Sequence, residues 1–243
     1  MTATLIHNNS ETKHWQTAEN VLRQKYPQRH HHFALREFFN FDSANGVYAD
    51  WNESRNILVT EDFIIGLMSG LEHEVGPAAS VVMYKIGEEW GRKDAEFFQN
   101  WFVKEYQYES IKQMQLPYVL EAWWWPCTAQ GWGNWEVDLS EQKHGFMFIN
   151  IFDSVVARTL GDVGRPVCHL YAGLFAGFFS GLVQKPLDCI EIQCYAMGET
   201  FCKFLLGKKD RIDAASFWQN EGATAQDIEK RLRSGDLFNG QRR

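Results

Sequence analysis

Residues 167–183, VCHLYAGLFAGFFSGLV, form an apolar run without a single Asp, Glu, Lys or Arg. A helix built from it is apolar on every face, so it has to be covered all round. At seventeen residues the run sits at the lower limit for crossing a bilayer. It contains His169, begins after Pro166 and lacks Trp/Tyr belts on both sides, so a helix buried inside a globular domain is the better reading. Gly173, Gly177 and Gly181 recur every fourth residue beside Ala172, Ala176 and Ser180. They make a smooth face for close approach of a helix, a sheet or a planar ligand, with packing the simpler explanation.

The chain has the means to cover such a helix. It has 243 residues, 45% of them apolar, with ten Trp and eighteen Phe. That suffices for one large domain or two small ones and excludes a disordered chain. The net charge of −7 argues against a nucleic-acid binder. Met1–Ser10 lacks the apolar core of a secretory signal, and five cysteines without one suggest a reducing compartment. The expected location is cytoplasmic, peripheral to photosynthetic membranes if the chain serves pigment assembly.

Hydrophobic periodicity divides the rest. Glu11–Tyr26 reads as a helix ended by Pro27. Thr60 can cap a helix with Phe63, Leu67, Leu71 and Val75 on one stripe, ending at Gly76–Pro77. A second helix from Ala78 carries Val82, Ile86, Trp90, Phe97 and Trp101 and runs to about Tyr106, with a break near Gly91. Ile57–Val59, Tyr118–Ala122, Trp132–Leu139, Gly145–Asp153, Leu187–Tyr195 and Thr200–Leu206 read as strands. Val167–Gln184 is the buried helix, and Thr224–Arg233 a lone helix in a polar tail. The expected class is α+β, helices packed on an antiparallel sheet. Residues 1–56 would be an extension packed on a domain spanning 57–207, with 208–243 as the tail.

Residues 189–204, CIEIQCYAMGETFCKF, hold three cysteines and two glutamates. With Gly198 at the middle of the hairpin loop, Cys194 lies opposite Cys202, close enough for two sulfurs to share one metal. Cys168 stands in the first turn of the buried helix, where the dipole favours a thiolate. Glu191 has apolar neighbours and needs a counter-charge. One feature resists a common site, because positions three apart on a regular strand face opposite ways. Glu191 and Cys194 can converge only if the strand twists, bulges or ends between them. The residues alone leave small core cysteines as the alternative.

The block from Cys168 to Leu206 resembles the 4-vinyl reductase-type small-molecule-binding domain. The family pattern is a Cys–His-bearing helix with repeated small residues, then Glu-x-x-Cys, then Gly and a Cys-Lys/Arg-Phe strand. It appears here as CHLYAGLFAGFFSGL, EIQC and GETFCKF. The resemblance extends more weakly upstream to about Ile57, covering about 150 residues. It implies that Cys168, Glu191, Cys194 and Cys202 are metal ligands, separated by 22, 2 and 7 residues. The metal implied is zinc, and four protein ligands make the site structural, a clamp between helix and hairpin. Cys189 and Cys127 match no ligand position and read as core.

The same resemblance implies an α+β fold related to heme-nitric-oxide and vesicle-tethering domains, which often dimerise, so a homodimer is expected. Family members are either sensory domains attached to transcription-activating ATPases or stand-alone proteins of chlorophyll formation. No Walker A motif is present, which favours the second setting. The expected function is a non-catalytic binder or carrier of a hydrophobic small molecule, a chlorophyll-type tetrapyrrole intermediate, supporting pigment or photosystem biogenesis. Trp123, Trp124, Trp125, Trp132 and Trp135 are the candidate pocket wall, with ordinary core packing as the alternative. A tetrapyrrole vinyl reductase is a second reading, without a dinucleotide or flavin fingerprint in its favour. An assembly factor binding photosystem or pigment-biosynthesis proteins through a Trp-rich surface is a third. His30–His32 reads as an exposed connector.

Overall fold

The computed structural model describes residues 35–50 and 52–235. The helix expected over 11–26 and the histidines at 30–32 lie outside the described residues. Two compact units divide the chain: residues 1–58 with 100–126, and residues 59–99 with 127–243.

In the first unit a short helix, α1 (Leu35–Phe38), leads into an antiparallel meander of β1 (Phe39–Asp42), β2 (Val47–Asp50) and β3 (Arg55–Asn56). The strand expected at Ile57–Val59 does not form; the pairing ends at Asn56, and Ile57 and Leu58 are exposed. Phe38 is buried and packs edge-on against Trp125 at 5.0 Å. Tyr106 and Tyr118, both buried, share a hydrogen bond of 2.5 Å between their hydroxyls.

In the second unit α2 (Glu61–Val75) follows its N-cap, Thr60. After a 3-10 turn, α3 (Ala79–Glu105) is one continuous helix, with no break at Gly91. The segment expected as a strand at Tyr118–Ala122 belongs to a helix, α4 (Leu116–Ala129). A four-stranded antiparallel sheet follows, in the order β4 (Asn134–Asp138), β5 (Phe146–Phe152), β7 (Cys202–Gly207), β6 (Asp188–Gln193). Between β5 and β6 lie α5 (Val155–Leu160) and the buried helix, α6 (His169–Val183). Two helices close the described chain, α7 (Lys209–Asn220) and α8 (Ala225–Ser234), where the sequence reading has one. Among the described residues no helix is long and apolar enough to cross a membrane.

The two faces of the sheet follow from register. Ile149, Phe204 and Glu191 sit side by side across β5, β7 and β6, as do Ile151 and Cys202. This face looks at α6, whose Phe175 meets Phe204 edge-on at 5.2 Å. Phe148, Leu205 and Ile190 line up on the opposite face. They are covered by α7 and α8 through Ile212, Ala215, Trp218, Ile228 and Leu232. β7 is thus sandwiched between helices, which is why it lacks polar alternation.

The far side of α6 meets α3 backbone to backbone. A Cβ added to Gly173 or Gly177 would collide with the carbonyl oxygens of Tyr84 and Glu88. One added to Gly87 or Gly91 would collide with those of Leu170 and Leu174. The buried face of α3 therefore runs through Ala79, Met83, Gly87, Gly91, Ala95 and Phe98, the small residues of the pattern. The larger Ile86 and Phe97, expected in the core, are 46% and 42% exposed. On α2 the buried pair is Ile64 and Met68, not the expected stripe, whose Phe63 and Val75 are 51% and 43% exposed.

Gly177→Ala should therefore lose at least about 3 kcal/mol in urea unfolding, despite alanine's higher helix propensity, because a backbone oxygen has nowhere to retreat. A change below about 1 kcal/mol would contradict the close crossing of α3 and α6.

Candidate functional site

Cys168 is the N-cap residue of α6, Cys202 opens β7, and Cys194 follows the last residue of β6. Glu191 lies within β6. Parity is resolved by a bulge. From Asp188↔Gly207 to Glu191↔Phe204 the hairpin pairs residues whose numbers sum to 395, and at Gln193↔Lys203 they sum to 396. One extra residue, Ile192, is accommodated between the two registers, and it packs on the α7/α8 side. Gln193 shifts to that side as well, so Cys194 returns to the α6 face beside Glu191. Gly198, with φ +84°, turns the chain after the 3-10 segment Tyr195–Met197 and brings Cys202 back.

The four side chains converge. One ligand atom from each of Cys168, Glu191, Cys194 and Cys202 lies within 4.8 Å of the others, and all four residues are buried. The sulfurs of Cys168 and Cys202 are 3.7 Å apart, those of Cys202 and Cys194 3.8 Å. Ligands at 2.3 Å from a tetrahedral centre would be about 3.8 Å apart. One Glu191 oxygen accepts the Cys168 backbone N–H at 2.8 Å, and Oε1 has no hydrogen-bond partner. A buried carboxylate oxygen without a donor is costly unless something positive faces it. This donor set suits a divalent, thiophilic ion.

Electrostatics within the cluster are lopsided. Burial raises the Glu191 carboxyl and the Cys168 thiol well above their ordinary values. Hydrogen bonds from the Cys168 and Cys202 thiols pull Cys194 far down, making it the thiolate of the group. Cys189, two residues before Glu191 on the same strand face, is buried outside the cluster, its N–H donated to the Tyr84 hydroxyl at 3.4 Å. Cys127 is also buried, its thiol raised first by burial and then by Asp94.

The five candidate indoles divide between the units. Trp123 and Trp124 are buried in the first, with Trp125 against Phe38. In the second, Trp132 lies 5.3 Å from Trp90 and 6.1 Å from Tyr171, which donates its hydroxyl to the Trp132 carbonyl. Trp135 stacks on Phe175 at 6.4 Å. Tyr171 and Phe175 both belong to α6, so this aromatic cluster rests on the helix that Cys168 caps.

Sequence reasoning missed Ser154. It caps α5, accepting the Ala157 N–H at 3.2 Å, and its hydroxyl lies 3.4 Å from the Cys168 sulfur. Ser154 and Glu191 are the buried polar residues among those described. The signal was a serine ahead of the short run VVARTL, readable as a cap but not as a neighbour of Cys168.

Residues 147–208 match the sequence profile of the vinyl-4-reductase domain, a segment that contains all four cluster residues. Among curated proteins, MJ1642 of Methanocaldococcus jannaschii is 39% identical over 56 residues, 23% of this chain and 35% of that protein. MJ0150 of the same organism is 24% identical over 76 residues, 31% of this chain and 44% of that one. The chain thus matches less than half the length of either. The phenol-responsive sensory domain of the transcription activator PoxR, solved with phenol, superposes with a TM-score of 0.57. It is 22% identical and covers 72% of this chain and 86% of its own, a likeness of fold. A vinyl-4-reductase family protein from M. jannaschii gives a TM-score of 0.39 at 13% identity, covering 84% of this chain and 98% of its own.

Glu191→Gln separates the cost of the buried carboxylate from its use. Below the ordinary carboxyl value of 4.5 the acid is protonated folded and unfolded, and the variant should match the wild type. Above it the unfolded chain ionises while the folded one resists, so wild-type stability falls as pH rises toward the raised folded value. In chelator-treated protein at pH 7 the variant should therefore be the more stable in urea. A less stable variant at pH 7 would mean that the carboxylate is already neutralised without metal.

Proposed function

We propose that this chain, which carries a 4-vinyl reductase-type domain, is a small-molecule-binding module whose α6 and β6–β7 hairpin are clamped by a structural zinc ion. The observation that carries the clamp is the convergence of three buried sulfurs and one orphaned carboxylate oxygen at tetrahedral spacing. Zinc would be held by Cys168, Glu191, Cys194 and Cys202, with no position left for a substrate, and would supply folding energy, not chemistry. Small-molecule binding is supported by the domain match over 147–208 and by the fold shared with a phenol-responsive domain. Within the second unit the aromatic residues Trp90, Trp132, Trp135 and Tyr171 favour a flat, apolar ligand. The specific ligand we favour is a chlorophyll-type tetrapyrrole intermediate, with the protein serving pigment or photosystem biogenesis as a carrier.

Elemental analysis of purified protein should give one zinc per chain, and the Cys194→Ser/Cys202→Ser double variant should lose it. A loss of about 5 kcal/mol would lower Tm by roughly 10–20 °C. Stoichiometric zinc in the double variant would refute the ligand set. For the small molecule, titration with a chlorophyll-type tetrapyrrole should shift its Soret band and quench indole fluorescence, whereas phenol alone should leave the indoles unchanged. Binding of phenol without tetrapyrrole would replace the carrier reading with that of a small-aromatic sensor.

We extend the reading to a homodimer. Phe63, Ile65 and Val75 on α2, with Val81 and Ile86 on α3, are each at least 40% exposed. A single copy rarely shows so much aliphatic and aromatic surface on neighbouring helices. Light scattering should report twice the chain mass, and Phe63→Glu/Ile65→Glu should halve it while leaving the zinc content unchanged.

A further inference from the structure

The cluster has a complete outer shell. Glu191 accepts the Cys168 N–H at 2.8 Å, and Cys202 accepts the Tyr195 N–H at 3.4 Å. Cys194 accepts the Val167 N–H. Each of these donors is a backbone amide and survives substitution of its own side chain. Cys168 has a different partner, the Ser154 hydroxyl at 3.4 Å. Four anionic ligands around a divalent ion leave the site formally dianionic, in a place with zero to 2% exposure. Every donor to a ligand is then worth more than in water, because nothing else screens that charge.

Proton count fixes the direction of the Ser154 contact. Its hydroxyl has one proton and accepts the Ala157 N–H. Tyr171 also hydrogen-bonds the Ser154 hydroxyl, and its own proton goes to the Trp132 carbonyl. The Ser154 proton can therefore serve either the phenol oxygen or the Cys168 sulfur. A metal-bound thiolate has no proton to give and takes the serine's; a free thiol can donate to Ser154 and release the hydroxyl to Tyr171.

Resting on the metal reading above, we infer that Ser154 is a positioning residue for the metal centre: its hydroxyl donates to the Cys168 thiolate and holds that ligand in place. The serine has two roles, cap and sulfur donor, and they predict different mutant series. As a cap, serine is much better than alanine and only a few tenths of a kcal/mol better than glycine. As a sulfur donor, alanine and glycine are equally deficient, and threonine restores the hydroxyl.

Cobalt(II) is the probe, read by its thiolate-to-metal charge-transfer absorption and by competition against a chelator of known affinity. Ser154→Ala and Ser154→Gly should both bind cobalt roughly 10–100-fold more weakly than the wild type, with a shifted charge-transfer band. Ser154→Thr should keep the wild-type affinity and spectrum. Wild-type affinity in Ser154→Gly would overturn the inference, and so would losses that track cap strength, with alanine far worse than glycine. Failure of the wild type to bind cobalt at all would instead sink the metal reading, and this inference with it.

Discussion

A carboxylate buried to 2% exposure, with one oxygen hydrogen-bonded and the other without a donor, is the constraint around which the second unit is organised. Glu191 stands on the sheet face covered by α6, opposite Phe204 and on the same side as Cys189. Among the described residues no lysine, arginine or histidine hydrogen-bonds it; its donor is the first free amide of α6, at the positive end of a fifteen-residue helix. That single bond ties strand to helix N-terminus and sets the height at which α6 crosses the sheet. With α6 at that height, Cys168 reaches the sulfurs of the hairpin. The proposed zinc ion answers the remaining oxygen.

The convergence of these four residues was partly legible. Pairing about Gly198 placed Cys194 opposite Cys202, and the observed register near the loop agrees. The objection that Glu191 and Cys194 face opposite ways was also sound, and the bulge at Ile192 is what removes it. Nothing in the string EIQC marks that bulge, because the bulged residue is an isoleucine that packs like any strand residue. What fixes it is tertiary: Ile192 joins Trp218 and Leu205 on the far side of the sheet, while Cys194 is drawn to the near side. Ser154 was illegible for the same reason. It is fourteen residues from Cys168, and only the turn through Gly161 and Gly164 folds them together.

Where the sequence misled, it did so by treating size as a guide to burial. On α3 the large residues Ile86 and Phe97 looked like core and Gly91 like a break. The reverse holds, because α3 and α6 approach until backbone touches backbone, and only small residues fit between them. Each glycine costs a helix roughly 0.5–1 kcal/mol relative to alanine, and the close contact recovers it through dispersion along both backbones. The misreading of Tyr118–Ala122 has a related origin. A segment apolar on all sides carries no period, and strand and helix are then indistinguishable without tertiary context. In the tail, α7 escaped notice because its buried side rests on Ile212, Ala214, Ala215 and Trp218, two of them alanines.

The glycine contact and the clamp act on the same helix in different ways. Close packing against α3 fixes α6 laterally, but two smooth glycine faces resist sliding and rotation poorly. The Cys168 end supplies what is missing, since one N–H and one sulfur pin the helix terminus to two strands at once. Tyr171 lies three residues along and Phe175 seven, both on the side that meets Phe204, and both contact the tryptophans of the second unit. A rotation of α6 about its axis would carry those rings away from Trp132 and Trp135 together. Positional accuracy in the aromatic cluster is thus inherited from the helix end less than one turn away from Tyr171. In the proposed clamp, the ion shapes the aromatic surface without touching anything bound there.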